Sequence, residues 1–526
     1  MRVASLFWRR RHWLLAMGSM PWWPRLAGAS VLAEPDGGLV WSERLARQAL
    51  ALLADAAANG LDPADYGTDA LAQRLPEALA HAGEPAGARL ATDLGAAMRR
   101  YLHELAFGRV DPRTVHQRFS VPPRAFDPAQ ALADALALGR LDTAVQAAVP
   151  PLPIYRQLQR VLLDLRALVG HAAWAHGLPP LPRPPGARAP KLETGGVWSG
   201  LPLLAQRLVL LGDLAPDAPV GDRLDGAVQS ALQAFQARHG LTADGVLGAG
   251  TLAALEVPPD ARVRQVALTM ERLRWTPLLQ GPRMIVVNIP EYVLRAYEVV
   301  DGRIEVRLSM RVIVGKALDH ATPLFDERLR SIEFSPYWNV PASIARQETV
   351  PRLRRDPAHW ARQGFEFVAG DGSVDTALTP AKLDAVLAGR LRIRQRPGPA
   401  NALGDIKFVF PNRDNIYLHH TPSVGLFARE RRDFSHGCIR VEDPVALARF
   451  VMAGMPGWDE ARIRAQMAAG TSTHVALRDP LPVLIAYGTV LVKQGRPHFF
   501  ADVYRHDARL QAALDARPRP YRLPSR

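Results

Sequence analysis

"DGRIEVRLSMRVIV", residues 301–314, is where the chain changes its period. Ile304, Val306, Leu308, Met310, Val312 and Val314 alternate with Glu305, Arg307, Ser309 and Arg311, the two-residue repeat of a strand with one apolar face. Asp301-Gly302 in front of it reads as a hairpin turn, in which both central residues take positive φ. From Met284 onward the chain is therefore expected to be β-rich.

Upstream the repeat is helical. Residues 36 to 178 are rich in Ala, Leu and Arg, as in "AATDLGAAMRRYLHELAFGRVDP", with apolar positions three and four apart and no strand expected. His103, His116, His171 and His176 are scattered there and form no constellation. "LPPLPRPPGARAPK", 178–191, is too proline-rich for a helix and reads as an extended linker.

Next, Leu201, Leu204, Leu208 and Leu211 lie on one helical face, and Val228, Ala231, Leu232 and Phe235 on another. Gly240 sits where a helix C-terminal glycine belongs, "ADG" makes a turn, and "GTLAALE" starts a third helix. The run "AVQSALQAFQARHGLTADGVLGAGTLAAL" resembles the three-helix peptidoglycan-binding module of wall enzymes, which serves either as a glycan grip or as a spacer.

Downstream, a segment between "SPYWNVPASIA" and "RQRPGPANALGDIKFVFP" holds helical pieces and reads as an insertion between strands, the kind of long connection that often forms a lid. "PVLIAYGTVLVKQGRPHFFADVY" is strand-like again, and a last helix is expected near "HDARLQAAL".

At the start, arginines at 2 and 9 to 11, an apolar stretch from Trp13 to Trp23 and small residues at Ala27-Gly28-Ala29 or Val31-Leu32-Ala33 have the layout of a secretory signal. Pro21, Pro24 and Arg25 interrupt the run, which argues against a spanning anchor. The 65 Lys+Arg against 51 Asp+Glu give a formal charge of +14, favouring a polyanionic partner. In an exported chain without an aromatic-basic recognition motif, nucleic acid is set aside for an acidic wall polymer or a membrane surface.

The chain has one cysteine, Cys438, within "FSHGCIRVEDP", residues 434–444. A nucleophilic thiol needs a base, oxyanion donors and restricted water. His419, His420 and His436 all qualify as bases by sequence distance, and spacing does not choose among them. The same residues could bind zinc, although their spacing lacks a closed-site pattern. A buried structural cysteine is the plainest alternative, and the polar surroundings of Ser435, His436 and Arg440 argue against it.

"YLHHTPSVGLFARERRDFSHGCIRVEDP" resembles the catalytic signature of the L,D-transpeptidases, and "ERLRW", "VNIPEYVLRAYE", "SPYWNVPASIA", "RQRPGPANALG" and "FADVYRHDARL" resemble its long periplasmic members. That resemblance implies Cys438 as nucleophile, His419 as base, the backbone carbonyl of His420 as the group orienting His419, and N–H donors from Gly437 and Cys438 for the oxyanion. It implies Ser435 and His436 as loop-shaping residues, Arg440 on a substrate carboxylate, and Tyr417, Trp338 and Asn339 as pocket wall. No metal or other cofactor is expected. The implied reaction joins two diaminopimelate residues of peptidoglycan stems through a thioester, from a tetrapeptide donor to a diaminopimelate acceptor, with other wall synthases as candidate partners and carbapenems as inhibitors. An L,D-carboxypeptidase, a lipoprotein-to-wall attachment enzyme and an inactive wall-binding protein are the competing readings.

The expected architecture is multidomain α + β. It comprises a signal at 1–33, a helical scaffold domain at 36–190 and a peptidoglycan-binding-like module at 196–258. A β-sandwich-like catalytic domain follows at 280–480 with a capping insertion at about 341–395, and a C-terminal strand and helix at 481–526 pack on the rest.

Overall fold

The computed structural model describes residues 31–116, 124–276, 278, 281–317 and 320–516. Most of the expected export signal, residues 1–30, lies outside them. Its last three residues do not: β1 (Val31–Ala33) pairs antiparallel with β2 (Val40–Ser42), a hairpin inside a tract expected to be purely helical. Two apolar side chains account for it, since Leu32 and Trp41 are both 0% exposed within the helical core. Ser42 then caps helix Glu43–Ala54, its hydroxyl accepting from the Leu45 N–H. Helix Pro85–Phe107 runs through this core, burying Leu90, Leu94, Met98, Tyr101, Leu102 and Leu105 at helical spacing.

Helix Pro153–Ala167 belongs to a second core. Tyr155, Leu158, Leu162 and Leu165 pack with Val266 and Met270 of helix Pro259–Trp275 and with Val490 and Phe499 of a hairpin near the C-terminus. Arg274, fully buried, crosses this junction: it donates to the Asn59 carbonyl at 2.5 Å and the Tyr155 hydroxyl at 2.9 Å and pairs with Glu271 at 2.5 Å. The three-helix module (Leu201–Leu210, Gly226–Arg238, Ala249–Glu256) buries Leu201, Leu204, Leu208, Val228, Ala231, Leu232 and Phe235 together. The proline-rich 178–191 stretch is docked rather than free at its start, with Leu178 and Leu181 against this core and Trp198 Nε1 donating to the Pro180 carbonyl at 3.0 Å. The module is bound to the C-terminal hairpin: Arg238 and Arg496 share the buried carboxylate of Asp213, and His239 stacks on Phe235 and Phe499.

The β-rich part begins with β3 (Arg283–Asn288), β4 (Val293–Val300), β5 (Arg303–Gly315) and β6 (Phe325–Phe334). Asp301 and Gly302, at φ 50° and 73°, make the β4–β5 turn. Only the far half of the β5 alternation is buried. Met310, Val312 and Val314 enter the core, whereas Ile304 and Val306 are 36% and 53% exposed and line a 510 Å³ groove against helix Pro259–Trp275. Four short strands, β7 (Trp338–Asn339), β8 (Phe365–Ala369), β9 (Val374–Asp375) and β10 (Leu391–Gln395), form a separate sheet in the order β7-β10-β8-β9, with its own core of Trp360, Phe365, Phe367, Leu383 and Ile393.

The chain returns through β11 (Ile406–Val409), β12 (Leu418–His419), β13 (Asp433–Ser435), β14 (Ile439–Val441) and β15 (Thr473–Ala486). The mixed sheet runs β13-β5-β14-β12-β11-β6-β15-β3-β4, and an additional β4–β5 pairing closes it around one core. β15 lies between β6 and β3, so the sheet continues past residue 480 to Ala486. Helix His506–Asp515 then packs against helix Pro259–Trp275, with the Asp507 carboxylate paired to Arg272.

Candidate active site

β12 and β14 are parallel, with Leu418 opposite Ile439 and His419 opposite Arg440. Leu418 and Ile439 are both 0% exposed and point into the core. Alternation therefore sends Tyr417, His419, Cys438 and Arg440 to the other face, side by side. The Cys438 thiol donates to the Asn415 carbonyl at 3.5 Å, and Tyr417 is among the groups that act on its titration. The Tyr417 and His419 rings meet edge to face at 5.8 Å. His419 Nδ1 donates to the His420 carbonyl, which leaves Nε2 as the unprotonated nitrogen of the neutral ring.

The loop before the thiol is closed on itself. Ser435 Oγ donates to the Cys438 carbonyl and accepts from the Gly437 N–H at 3.2 Å. Gly437, expected as an oxyanion donor, takes φ of 114° and has its N–H on Ser435 Oγ. Thr322, fully buried, holds the other side of the same residue by donating to the Gly437 carbonyl at 2.7 Å. A Cβ on Gly437 would stand 3.0 Å from Ile416, so the position has room only for glycine unless that side chain gives.

Burial dominates the electrostatics. It pushes the Cys438 thiol up from its ordinary value, with the Tyr417 hydrogen bonds and the Lys407 and Arg440 charges pulling the other way. It pushes His419 down to about 3, helped by the Arg440 charge and opposed by the His420 and Leu403 carbonyls. At neutral pH the pair is a neutral thiol beside a neutral imidazole. Burial also lowers Arg440, whose Nε has no partner among the described residues.

The other two histidines turn away from the thiol. His420 Nδ1 meets Asp405 Oδ1 at 2.7 Å, and His436 Nε2 meets Glu348 Oε1 of the inserted subdomain at 2.6 Å. Among the described residues no group of three or more His, Cys, Asp or Glu is arranged to hold a metal ion. Trp338 packs against the core of the inserted subdomain, and Asn339 pairs with Arg394 on its central strand. Sequence reasoning missed Asp405, Lys407, Thr322 and Glu348. Lys407, opposite His419 on β11, lies 4.3 Å over the Tyr417 ring, and the alternation in "DIKFV" carries that placement. Nothing local marks Thr322 or Glu348.

Three family profiles match: "L,D-transpeptidase catalytic domain" over 282–463, "Scaffold domain" over 33–162 and "Putative peptidoglycan binding domain" over 200–255. A Haemophilus influenzae protein named "Putative L,D-transpeptidase" is 32% identical over 253 residues, 48% of this chain and 49% of that protein; the alignment thus spans about half the relative's length. The crystal structure of an L,D-transpeptidase (residues 123–326) from Xylanimonas cellulosilytica aligns at 15% identity, covering 58% of this chain and all of that one, with a TM-score of 0.17. A fused Zn-dependent amidase/peptidase/peptidoglycan-binding protein from Clostridium acetobutylicum aligns at 11% over 57% of this chain and all of its own, with a TM-score of 0.18; neither alignment adds to the fold assignment. Helical scaffold, three-helix module and closed β domain coincide with the three matched ranges, so the chain carries a domain of the L,D-transpeptidase catalytic type together with a scaffold domain and a peptidoglycan-binding-like domain.

Proposed function

We propose that the protein forms 3,3-cross-links in peptidoglycan through a Cys438 thioester. The observation that carries this reading is the shared face of Tyr417, His419, Cys438 and Arg440, with His419 Nδ1 donating to the His420 carbonyl. In the first step Cys438 Sγ attacks the carbonyl between the L-centre of diaminopimelate and the terminal D-Ala of a tetrapeptide. The thiol proton passes to His419 Nε2 and then to the departing D-Ala amine. In the second step the side-chain amine of another stem's diaminopimelate attacks the thioester, its proton goes to His419, and the thiol is regenerated.

The Cys438 N–H is the backbone donor we assign to the oxyanion, since Gly437 is engaged with Ser435. Arg440, on the same face as the thiol, is the cation we assign to a stem carboxylate. The inserted subdomain, held to the nucleophile loop through Glu348 and His436, favours the amine over water by covering the thioester. Such chemistry belongs outside the cytoplasm, and we assign the chain to the periplasm. Because Leu32 is buried, a signal cut after Ala29 leaves the β1–β2 hairpin whole, whereas one after Ala33 removes half of it.

The test is incubation of protein beginning at Ser30 with disaccharide-tetrapeptide, beside Cys438→Ala, with products read by mass spectrometry. A D,D-endopeptidase-resistant dimer that has lost one D-Ala establishes transfer. Free tripeptide alone means a carboxypeptidase, and no change in either sample returns the protein to wall binding.

A further inference from the structure

The second histidine of "LHHTP" is joined to the catalytic ring by backbone and to a carboxylate by its side chain. His419 Nδ1 donates to the His420 carbonyl, and His420 Nδ1 lies 2.7 Å from Asp405 Oδ1. The His420 N–H donates to the Ile406 carbonyl at 3.0 Å. The consecutive residues Asp405 and Ile406 therefore grip His420 twice, once through its ring and once through its amide. A residue held at both points has little freedom left in the torsion that aims its carbonyl.

The neighbourhood is shaped for this grip. A Cβ at Gly404 would come within 2.8 Å of both Cβ and Nδ1 of His420 and 2.9 Å of its carbonyl carbon, and Gly404 has φ of +66°, so a glycine leaves the imidazole its place. Asp405 is itself anchored, its carbonyl accepting from the Ser335 N–H at 2.8 Å, and Ser335 is 3% exposed.

We infer that Asp405 is a positioning residue: through the His420 side chain it fixes the carbonyl that keeps the proton of His419 on Nδ1 and its Nε2 free for the thiol. This rests on the reading of His419 as the base. If the His420 peptide swings, the neutral His419 ring loses its preference between tautomers, and the form with a proton on Nε2 does not accept one from the thiol. The effect is one on the rate and pH dependence of proton removal, not on the fold of the strand, because the His420 amide keeps its bond to Ile406.

The lone cysteine makes the test direct. Iodoacetamide alkylation of Cys438 is timed as a function of pH in wild type, His419→Ala, Asp405→Ala, Asp405→Asn, His420→Ala and the Asp405→Ala/His420→Ala pair, with thermal melting of each. We expect about tenfold slower alkylation at neutral pH for Asp405→Ala and a changed pH profile. Partial recovery is expected in Asp405→Asn, which can still accept a hydrogen bond from the ring. The double variant should be no slower than the slower single one, because the two residues act as a unit. An Asp405→Ala profile superposable on wild type, or losses in the double variant that multiply, overturns the role. A strong effect of His419→Ala with none from Asp405→Ala overturns it alone, while indifference to both overturns it together with the reading of the base.

Discussion

Glu348 and His436 are 88 positions apart in the chain and 2.6 Å apart in space, joining the inserted subdomain to the loop that carries Cys438. The His320 ring lies edge-on to His436 at 4.9 Å on the other side. With 52% and 36% of the two side chains exposed, the contact is an exposed one and adds little to stability. Glu348→Ala should therefore leave the rate of thioester formation near wild type and raise the hydrolysed fraction of product about two- to fivefold. Quantifying tripeptide against dimer in one digest checks this, and an unchanged ratio removes the covering role from the subdomain.

The two adjacent histidines should differ sharply. Under the proposed mechanism His419→Ala removes the proton acceptor and should cost about 10²–10⁴-fold in acylation. His420→Ala keeps the backbone carbonyl and loses only its anchor, so a loss of about tenfold is expected. Single-turnover acylation followed by intact-protein mass spectrometry separates them, and the reverse order would move the base to His420.

The neutral resting pair has its own signature. With the His419 pKa near 3 and the thiol raised, neither group changes protonation in the mildly acidic range. The acylation rate should be nearly flat from about pH 5 to pH 7, where a thiolate–imidazolium pair formed near neutrality would show a limb. A titration of the rate across that range decides between them.

Buried histidines also set the acid limit of the fold. Burial lowers His116 and His506, whose rings are 4.7 Å apart at the junction of the helical and β parts, to about 3, and His498 to about 4. Unfolded, each binds a proton near pH 6.5, so between the two values the unfolded chain holds more protons and stability rises with pH. The contribution is complete above about pH 6.5 and lost as pH falls toward about 3 to 4. Melting temperatures taken from pH 7.5 to 4.5 should decline steadily. His116→Asn should flatten that decline.

Leu32 sets where an N-terminal truncation is tolerated. Protein beginning at Ser30 keeps β1, whereas protein beginning at Glu34 opens the space that Leu32 fills between Trp41 and the helices. Loss of a buried leucine costs about 2–5 kcal/mol, before the hairpin bonds are counted. Denaturant midpoints of the two proteins should differ accordingly, and equal midpoints would mean that the hairpin adds nothing to the scaffold.

Much of this was written in local pattern. The 3.6-residue stripes of the module and the two-residue repeat of β5 with Asp301-Gly302 before it depend on residues close in sequence, and each of these elements is found in the structure. The helical tract hid a strand pair because three residues make too short a run to show a period. The apolar Ile304 and Val306 were indistinguishable from Val312 by alternation, and only the helix opposite them shows that they border a groove.

The sequence by itself determined which reactive side chains lie close together along the chain: one thiol and three imidazoles near it, within a β-rich stretch. Tertiary structure decided what each imidazole does, turning His419 to a carbonyl, His420 to Asp405 and His436 to Glu348. It also turned the Gly437 N–H to Ser435, closed the sheet through β4 and β5, and placed Lys407 over Tyr417. The physical reason is that periodicity reports which face of an element is buried. A hydrogen-bond or ion-pair partner across tens of residues is chosen by the register and packing of the whole domain, which no local stretch contains.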